Sequence, residues 1–186
     1  MKYYSKSVDQ TITLNGLVEQ CKRGDVRSFK ILYDQYSRAM FNSSLRILKN
    51  RTDAEDVLQE AFIDIFRKIN YFDGRSTIGA WMKRIVINKS IDFLRKRKIH
   101  FEELGDKNEY ELQEDSSLQI PDELKIQQVK RGIDSLPTGY RTVLSLYLLE
   151  GYDHKEIAQI LNVSESTTRT QYIRAKKKLL KIIQQY

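Results

Sequence analysis

The chain has 186 residues with 32 basic and 25 acidic side chains, a formal net charge of +7, and 40% apolar residues. This composition supports compact folding, as one medium domain or two small ones. The longest strongly apolar run, residues 143–149, is far shorter than the roughly 20 residues of a bilayer span. Residues 1–10 are polar and lack a secretion signal, and the single Cys21 fits a reducing compartment. We therefore predict a soluble, cytoplasmic protein.

The same composition argues against most enzyme classes. His100 and His154 are the only histidines and no Cys-x-x-Cys pair occurs, so a zinc site has few ligands to draw on. The eight glycines are too widely spaced for a dinucleotide-binding loop. We therefore predict that the protein is not an enzyme and holds no metal or cofactor.

The N-terminal half has the periodicity of helices. We predict a short helix over Leu14–Arg23, a second helix capped by Asp25, and a third that begins at Thr52 or Asp53. The inward-facing positions of the third helix, spaced by three and four, are Ala54, Val57, Leu58, Ala61, Phe62, Ile65, Phe66 and Ile69. After a loop, a fourth helix is predicted over Thr77–Lys98.

Charge divides the chain into three blocks. Residues 1–99 carry 20 basic and 11 acidic side chains, residues 100–124 carry 1 and 9, and residues 125–186 carry 11 and 5. The pattern predicts two domains joined by a flexible acidic linker. We favour a solvated connector; the alternative is a segment whose charge resembles nucleic acid and which runs through a basic channel of a partner.

The last block contains a helix-turn-helix pattern. Ser135 and Pro137 mark one helix start, and a capping box of Asp153 and Glu156 begins a helix over His154–Leu161. Asn162 suits a left-handed turn, and Ser164 suits the cap of a final helix over Glu165–Ile183. No stretch alternates with period two, so we predict an all-α fold of two small helical domains.

The final helix has the chemistry of a DNA major-groove reader. Its early polar residues suit base edges, and its later cations suit phosphates. The alternative is a solvated basic face, but the turn-and-cap pattern in a block of charge +6 favours DNA binding. In the fourth helix, Trp81 and Asn88 are interleaved with cations, which suits unpaired bases. Simpler alternatives there are a core role for Trp81 and an exposed ion pair between Asp92 and Arg95.

Several short stretches, taken together with their order and spacing, carry a resemblance to a known family. They are Asp53-Ala-Glu-Asp-Val-Leu-Gln-Glu-Ala-Phe62, Phe72-Asp-Gly74, Trp81-Met-Lys-Arg-Ile85, Asn88, Asp92-Phe-Leu-Arg95, Leu136-Pro137, Glu156-Ile-Ala158 and Arg174-Ala175. With them the chain resembles the bacterial RNA polymerase sigma factors of the small extracytoplasmic-function (ECF) type, in the sigma-70 family. The resemblance covers about residues 25–99 and 125–183. It implies a protein that binds core RNA polymerase and directs transcription initiation at promoters with minus-ten and minus-thirty-five elements, roughly two helical turns apart.

The resemblance also implies roles for the three blocks and their residues. Residues 1–99 would dock on the polymerase and melt the minus-ten element, residues 100–124 would pass near the active centre and RNA exit channel, and residues 125–186 would read the minus-thirty-five element. Docking on the clamp helices of the largest subunit is implied for Asp53, Glu55, Asp56, Gln59 and Glu60. Minus-ten contact is implied for Phe72, Arg75, Trp81, Arg84, Asn88, Arg95 and Lys96. Minus-thirty-five contact is implied for Ser164, Ser166, Thr167, Arg169, Thr170, Gln171, Arg174 and Lys177.

The implied partners are core RNA polymerase, through its largest and second-largest subunits, promoter DNA, and an anti-sigma factor that masks both domains. No stable membrane insertion is expected, and the sequence shows no obvious inhibitory segment of its own. Ser166 and Thr168 stand where the family usually has Gly and Val, and the Thr168 hydroxyl could bond back to the helix backbone.

Two other functions stay open at this point. A stand-alone helix-turn-helix regulator would bind duplex DNA without polymerase and leave the acidic surface of the third helix unexplained. A nucleic-acid-processing enzyme would need a metal or base cluster such as Asp53, Asp56 and Glu60, which polymerase docking explains better.

Overall fold

The computed structural model describes residues 13–97, 101 and 123–184, and within them the chain is helical with no β-strand. The first group of helices is α1 (Leu14–Lys22), α2 (Val26–Leu48), α3 (Arg51–Lys68), a 3₁₀ turn (Ile69–Tyr71) and α4 (Ile78–Lys96). The second group is α5 (Glu123–Ser135), α6 (Thr138–Leu148), α7 (His154–Leu161) and α8 (Glu165–Ile183). The predicted all-α class with two helical regions is confirmed. Most of the predicted linker, residues 102–122, lies outside the described residues, as do residues 98–100.

Local capping fixes most helix starts where the sequence predicts them. The Asp25 carboxylate accepts from the Ser28 amide at 2.9 Å, and the Thr77 hydroxyl accepts from the Ala80 amide at 3.2 Å. The prediction for α3 is wrong by one or two residues, because the helix begins at Arg51. Lys49 takes a left-handed φ of 59° and ends α2, which leaves Asn50 extended and able to cap the new helix.

The first domain packs α1 to α4 around an apolar core. The core residues are Leu17, Val18, Cys21, Leu32, Met40, Leu58, Ala61, Phe62, Ile65, Ile69, Phe72, Ile78, Met82 and Val86. One predicted inward position of α3 is wrong, since Phe66 is 44% exposed. Phe66 lies on the flank of α3, where its ring meets the Phe29 ring edge-on with centroids 4.6 Å apart.

The second domain packs α5, α6 and α8 around a smaller core. Its buried members are Ile133, Leu136, Tyr140, Leu144, Ala175 and Leu179. Helix α5 was not predicted from the sequence, and it begins inside the stretch assigned to the linker. Gly132 lets α5 approach α8 closely, because a Cβ at this position would lie 2.6 Å from the Leu179 Cδ1 atom.

A third apolar cluster joins the two domains. The first domain contributes Ile47, Leu48, Ala54, Val57, Ile87, Ile91 and Leu94; Phe101 and the second-domain residues Val143, Leu146, Ile157, Ile160 and Leu161 complete it. In this arrangement α2 lies against α6, and α4 lies against α7. None of the described helices is both long and apolar enough to cross a membrane.

Candidate nucleic-acid and protein interfaces

Helices α7 and α8 form the helix-turn-helix that the sequence predicts. The Asp153 carboxylate accepts from the Glu156 amide at 2.8 Å, and the Glu156 carboxylate accepts from the Asp153 amide at 3.0 Å. Asn162 ends α7 with a left-handed φ of 54°, which an amide side chain tolerates better than most. The Ser164 hydroxyl then accepts from the Thr167 amide at 3.0 Å and starts α8. Short-range polar bonds therefore fix the turn on both sides.

The outer face of α8 carries most of the residues predicted to contact the minus-thirty-five element. Ser164, Ser166, Arg169 and Lys177 are exposed, and Thr167, Thr170 and Arg174 are half-buried. Arg169 pairs with Glu165 one turn earlier, at 2.7 Å. This face offers hydroxyl groups near the N-terminus of α8 and cations further along, which suits base edges and phosphates respectively.

Two polar residues of α8 point inward instead. Gln171, predicted to contact DNA, is only 3% exposed, and its Nε2 donates to the Phe101 carbonyl oxygen. The Thr168 hydroxyl donates to the Glu165 carbonyl at 2.8 Å and lies 3.2 Å from the His154 carbonyl. The expected bond from Thr168 to its own helix is therefore present, and a second contact ties α8 to the start of α7.

Helix α4 exposes part of the predicted minus-ten surface. Arg84, Asn88 and Lys96 are exposed on it. Arg95 pairs with Asp92 at 2.8 Å, and its Nη2 donates to the Ile160 carbonyl of α7 at 3.0 Å. One predicted DNA contact thus also forms a bond between the domains.

The loop before α4 presents the remaining minus-ten candidates in different settings. Phe72 is 9% exposed, and its ring lies 5.6 Å from the ring of half-buried Trp81. The side chain of Arg75 is 90% exposed and lies 3.2 Å from Asp73. Phe72 and Trp81 thus form one edge of the first-domain core, next to an exposed cation on the loop.

Helix α3 exposes a polar and acidic surface, here called the α3 acidic face, formed by Asp56, Gln59 and Glu60. These positions share one side of the helix through their spacing of three and four. Asp53 is 9% exposed and forms two hydrogen bonds with Arg97, at 2.7 and 2.9 Å. Glu55 is half-buried and pairs with Arg51 at 2.8 Å. Of the five predicted docking residues, Asp56, Gln59 and Glu60 are therefore exposed together. Asp53 and Glu55 are held in ion pairs, and Glu60 also lies 3.4 Å from Lys89 of α4.

The comparisons with known proteins agree with this geometry. The family models Sigma-70 region 2 and Sigma-70, region 4 match residues 32–99 and 126–179. The chain is 30% identical over 180 residues to the RNA polymerase sigma-H factor of Pseudomonas aeruginosa, covering 90% of this chain and 92% of that protein. It is 32% identical over 177 residues to the ECF RNA polymerase sigma factor SigW of Bacillus subtilis, covering 88% and 93%. The chain belongs to the ECF branch of the sigma-70 family.

The fold of this sigma factor also matches a solved structure, the sigma factor RpoE of Bartonella quintana in complex with the anti-sigma factor NepR. The TM-score is 0.56 at 20% identity, and the match covers 86% of this chain and 98% of that one. Family membership establishes the function: the protein is a sigma factor that directs transcription initiation. The described residues hold no group of three or more His, Cys, Asp or Glu side chains placed to bind a metal ion.

An aromatic and apolar patch that was not predicted from the sequence lies beside the α3 acidic face of the sigma factor. Ile63 and Phe66 on α3 are 50% and 44% exposed, and Tyr33 on α2 is 41% exposed. The Tyr33 ring lies 4.6 Å from the Phe62 ring, edge-on. Periodicity assigns Phe66 to the core, so only its exposure in the folded structure reveals it as part of this patch.

An ion-pair cluster at the junction of the two domains was also missed. Glu150 follows α6, and its side chain is only 2% exposed. It pairs with Arg46 of α2, whose Nε donates at 3.1 Å, and with Lys83 of α4 at 3.0 Å. Burial alone raises the pKa of Glu150, but the hydrogen bonds and charges of Arg46 and Lys83 outweigh it and hold the pKa below its ordinary value. We call these three residues the Glu150 clasp.

Arg141 forms a second polar contact at this junction. It is 4% exposed, and its guanidinium lies 3.3 Å from the carbonyl oxygens of Arg46 and Ile47 in the last turn of α2. Its Nη1 also donates to the Leu136 carbonyl at 2.8 Å. Burial lowers the pKa of Arg141. A cation from the second domain therefore satisfies carbonyl groups at the C-terminus of a first-domain helix, where they lack helical partners.

Proposed function

We propose that this sigma factor docks on core RNA polymerase through α3 and recognises promoters with two separate surfaces. In this proposal residues 1–99 form region two, which binds polymerase and the minus-ten element, and residues 125–186 form region four, which binds the minus-thirty-five element. Residues 100–124 connect them. The protein contributes no catalytic group, acts in the cytoplasm, and leaves RNA synthesis to the polymerase.

The α3 acidic face is the observation that carries the docking proposal. Asp56, Gln59 and Glu60 are exposed in a domain whose overall charge is positive. A negative patch on a basic protein serves poorly for DNA binding, because phosphates repel it, but it complements a basic protein surface. We propose the clamp helices of the largest polymerase subunit as that surface, with Asp53 and Glu55 at its edge and further contacts to the second-largest subunit.

For the minus-ten element we propose that α4 and the loop before it hold an unstacked base. Unstacking costs a few kcal/mol, which an aromatic contact and hydrogen bonds to the base edge must offset. Trp81 and Phe72 supply aromatic surface, and Asn88 supplies an exposed amide. Phosphate contacts are proposed for the four cations Arg75, Arg84, Arg95 and Lys96.

For the minus-thirty-five element we propose that α8 enters the major groove. Ser166, Thr167, Arg169 and Thr170 suit base edges, while Ser164, Arg174 and Lys177 suit phosphates. Gln171 belongs to this proposal only if it is released from the Phe101 carbonyl that it now contacts. We further propose an anti-sigma factor as a regulatory partner, supported by the solved relative in which a sigma factor and an anti-sigma factor form a complex.

The docking proposal can be tested by measuring the affinity of the full chain for purified core RNA polymerase. Reversing the charge of the α3 acidic face with Asp56→Lys and Glu60→Lys should weaken binding at least tenfold, because two attractive pairs become repulsive. The matched control combines Glu19→Lys and Asp34→Lys, which changes the net charge equally at exposed positions outside α3. Equal affinity of the two double variants would contradict the proposal, as would specific initiation from promoter DNA by the Asp56→Lys, Glu60→Lys variant at the normal level.

A further inference from the structure

We propose that Asp92 of α4 selects cytosine at one position of the minus-ten element, by accepting a hydrogen bond from the N4 amino group of that base. The proposal rests on the function proposed above, in which α4 contacts this element. It adds a specificity-determining residue to a surface whose other proposed members are aromatic rings, one amide and cations.

Asp92 is an unexpected residue on a helix proposed to bind DNA. It is the only acidic residue in α4, which carries five basic ones. A carboxylate is repelled by DNA phosphates, and Asp is among the poorer helix formers in a helix interior. A specific contact with DNA would offset both disadvantages.

The ion pair between Asp92 and Arg95 does not account for this residue by stability. The Arg95 Nη1 atom donates to Asp92 Oδ1 at 2.8 Å, and the two side chains are 39% and 59% exposed. Ion pairs this exposed stabilise a folded protein little, but they do restrict the rotation of the carboxylate. None of the described residues donates to Asp92 Oδ2, so one acceptor oxygen is held in place and open to a ligand.

The position of Asp92 places this oxygen beside a proposed base contact. Asp92 lies one helical turn after Asn88, about 5.4 Å along the same side of α4. Both residues line a groove of about 630 Å³ between α3 and α4, with Val57, Ile85 and Phe93 as apolar wall. Adjacent nucleotides are about 3.4 Å or more apart along a strand. A base next to the one at Asn88 is therefore within reach of Asp92.

The other two carboxylates of this groove are paired with lysines. Lys89 lies 3.4 Å from Glu60 and 3.2 Å from Asp64, and Lys68 lies 3.5 Å from Asp64. These cations offset the negative charge of the α3 wall, so the groove as a whole does not repel nucleic acid. Asp92 is the carboxylate on the α4 wall, where the proposed DNA contacts lie.

A carboxylate distinguishes bases because it accepts hydrogen bonds and cannot donate them. On its major-groove edge, cytosine presents the N4 amino group with no acceptor beside it. Adenine also presents an amino group, but its neighbouring N7 acceptor repels a carboxylate. Guanine and thymine present only acceptors and, in thymine, a methyl group on this edge. Asp92 therefore favours cytosine over the other three bases.

The test measures base preference with the intact holoenzyme, formed from the full chain and core RNA polymerase. The templates share one promoter of this sigma factor with its minus-ten element randomised, and a transcribed barcode identifies each template. For wild type we expect about tenfold more transcripts with cytosine than with thymine at one position, as for a single base contact. Asp92→Ala removes the acceptor and should bring that ratio to about one, with the preferences at the other positions unchanged.

Two further variants guard against indirect effects. Asp92→Asn keeps the shape of the side chain, and its amide donates as well as accepts, so it should admit thymine about as readily as cytosine. The matched control is Asp34→Ala, which removes an exposed carboxylate of α2 that pairs with Lys30 at 2.6 Å. It should keep the wild-type preference, because a lost surface ion pair by itself changes no base contact.

The outcomes separate this proposal from the function on which it rests. A cytosine preference that persists in Asp92→Ala, or a wild type that prefers cytosine at no position, would overturn the role of Asp92 while the sigma factor still initiates transcription. A wild type that starts no transcripts beyond those of core polymerase alone would contradict the proposed function, and the role of Asp92 with it.

Discussion

Arg95 in α4 donates a hydrogen bond to the carbonyl oxygen of Ile160 in the last turn of α7, 3.0 Å away. Arg141 in α6 makes the reverse contact, with its guanidinium 3.3 Å from the carbonyls of Arg46 and Ile47 at the end of α2. Each domain thus supplies a cation to the C-terminus of a helix in the other, where carbonyl groups lack helical partners and carry partial negative charge. The junction between the domains is therefore held by hydrogen bonds of defined geometry as well as by apolar contacts.

Replacing Arg141 should destabilise the folded chain. Arg141→Met keeps most of the volume but leaves the carbonyls of Arg46, Ile47 and Leu136 without this donor in a buried site. Unsatisfied buried acceptors cost about 1–3 kcal/mol, so we expect a loss of about 2 kcal/mol in the free energy of unfolding. Chemical denaturation followed by circular dichroism measures it. The exposed Arg131→Met serves as the control, and equal stability of the two variants would contradict this role for Arg141.

Asn162 should be replaceable by glycine but not by alanine. Its φ of 54° places the backbone in the left-handed region, where Asn is favoured over Ala by about 1 kcal/mol because its short polar side chain can hydrogen-bond locally, and where glycine has no β-carbon to clash. Asn162→Ala should therefore lower the melting temperature by about 2–4 °C, whereas Asn162→Gly should leave it nearly unchanged. Differential scanning calorimetry of the two variants gives the comparison. If alanine were tolerated as well as glycine, the turn would not depend on this backbone conformation.

Lys177 should affect DNA binding through charge alone. It is exposed on α8, and the proposed contact is with a phosphate. Lys177→Ala should reduce the slope of log K against log salt by about 0.9, the value for one lost counterion, with little change in sequence preference. Fluorescence anisotropy with duplex DNA at several salt concentrations measures the slope. Lys30→Ala, exposed on α2, is the matched control; an unchanged slope for Lys177→Ala would remove this residue from the DNA surface.

The contact between the two domains should weaken in acid. The pKa of Glu150 is held below its ordinary value of 4.5, so the carboxylate stabilises the contact with Arg46 and Lys83 at all pH values above about 4.5. That contribution is lost as the pH falls through the lowered value. Scattering between pH 7 and pH 3.5 should show expansion of wild type at the acid end, and Glu150→Gln should lack this step.

Low pH also protonates carboxylates away from the domain junction, and their effect must be measured as a control. Burial raises the pKa of Asp64, but Lys89 and Lys68 outweigh that effect and lower it. Protonation of Asp64 therefore weakens the first domain itself, and circular dichroism detects that loss as helix melting. Expansion that always coincided with loss of helix would be acid unfolding and would contradict this role for Glu150 at the domain junction.

Local features of this fold were predictable because their causes lie within four residues. The caps at Asp25, Thr77 and Ser164 and the turn at Asn162 each depend on one side chain and a nearby backbone group. The predicted start of α3 was wrong because Asn50 can cap this helix only when Lys49 adopts a left-handed backbone conformation, which the sequence pattern does not indicate.

Tertiary features were not predictable from the same patterns. An apolar residue at helical spacing indicates a contact but not its extent, so Phe66 was assigned to the core although it is 44% exposed. Gln171 has the chemistry of a base-reading side chain, and only the packing of Phe101 beside α8 shows that its amide is engaged. Glu150 has no sequence signal, because its partners Arg46 and Lys83 come from the other domain.

The most direct test of the account is to map transcripts made by purified core RNA polymerase from genomic DNA fragments, with and without this protein. We predict new RNA 5′ ends at discrete sites, preceded by two shared sequence elements about two helical turns apart, and loss of those ends with the Asp56→Lys, Glu60→Lys variant. Identical 5′ ends with and without the protein, or ends preceded by no shared elements, would contradict it.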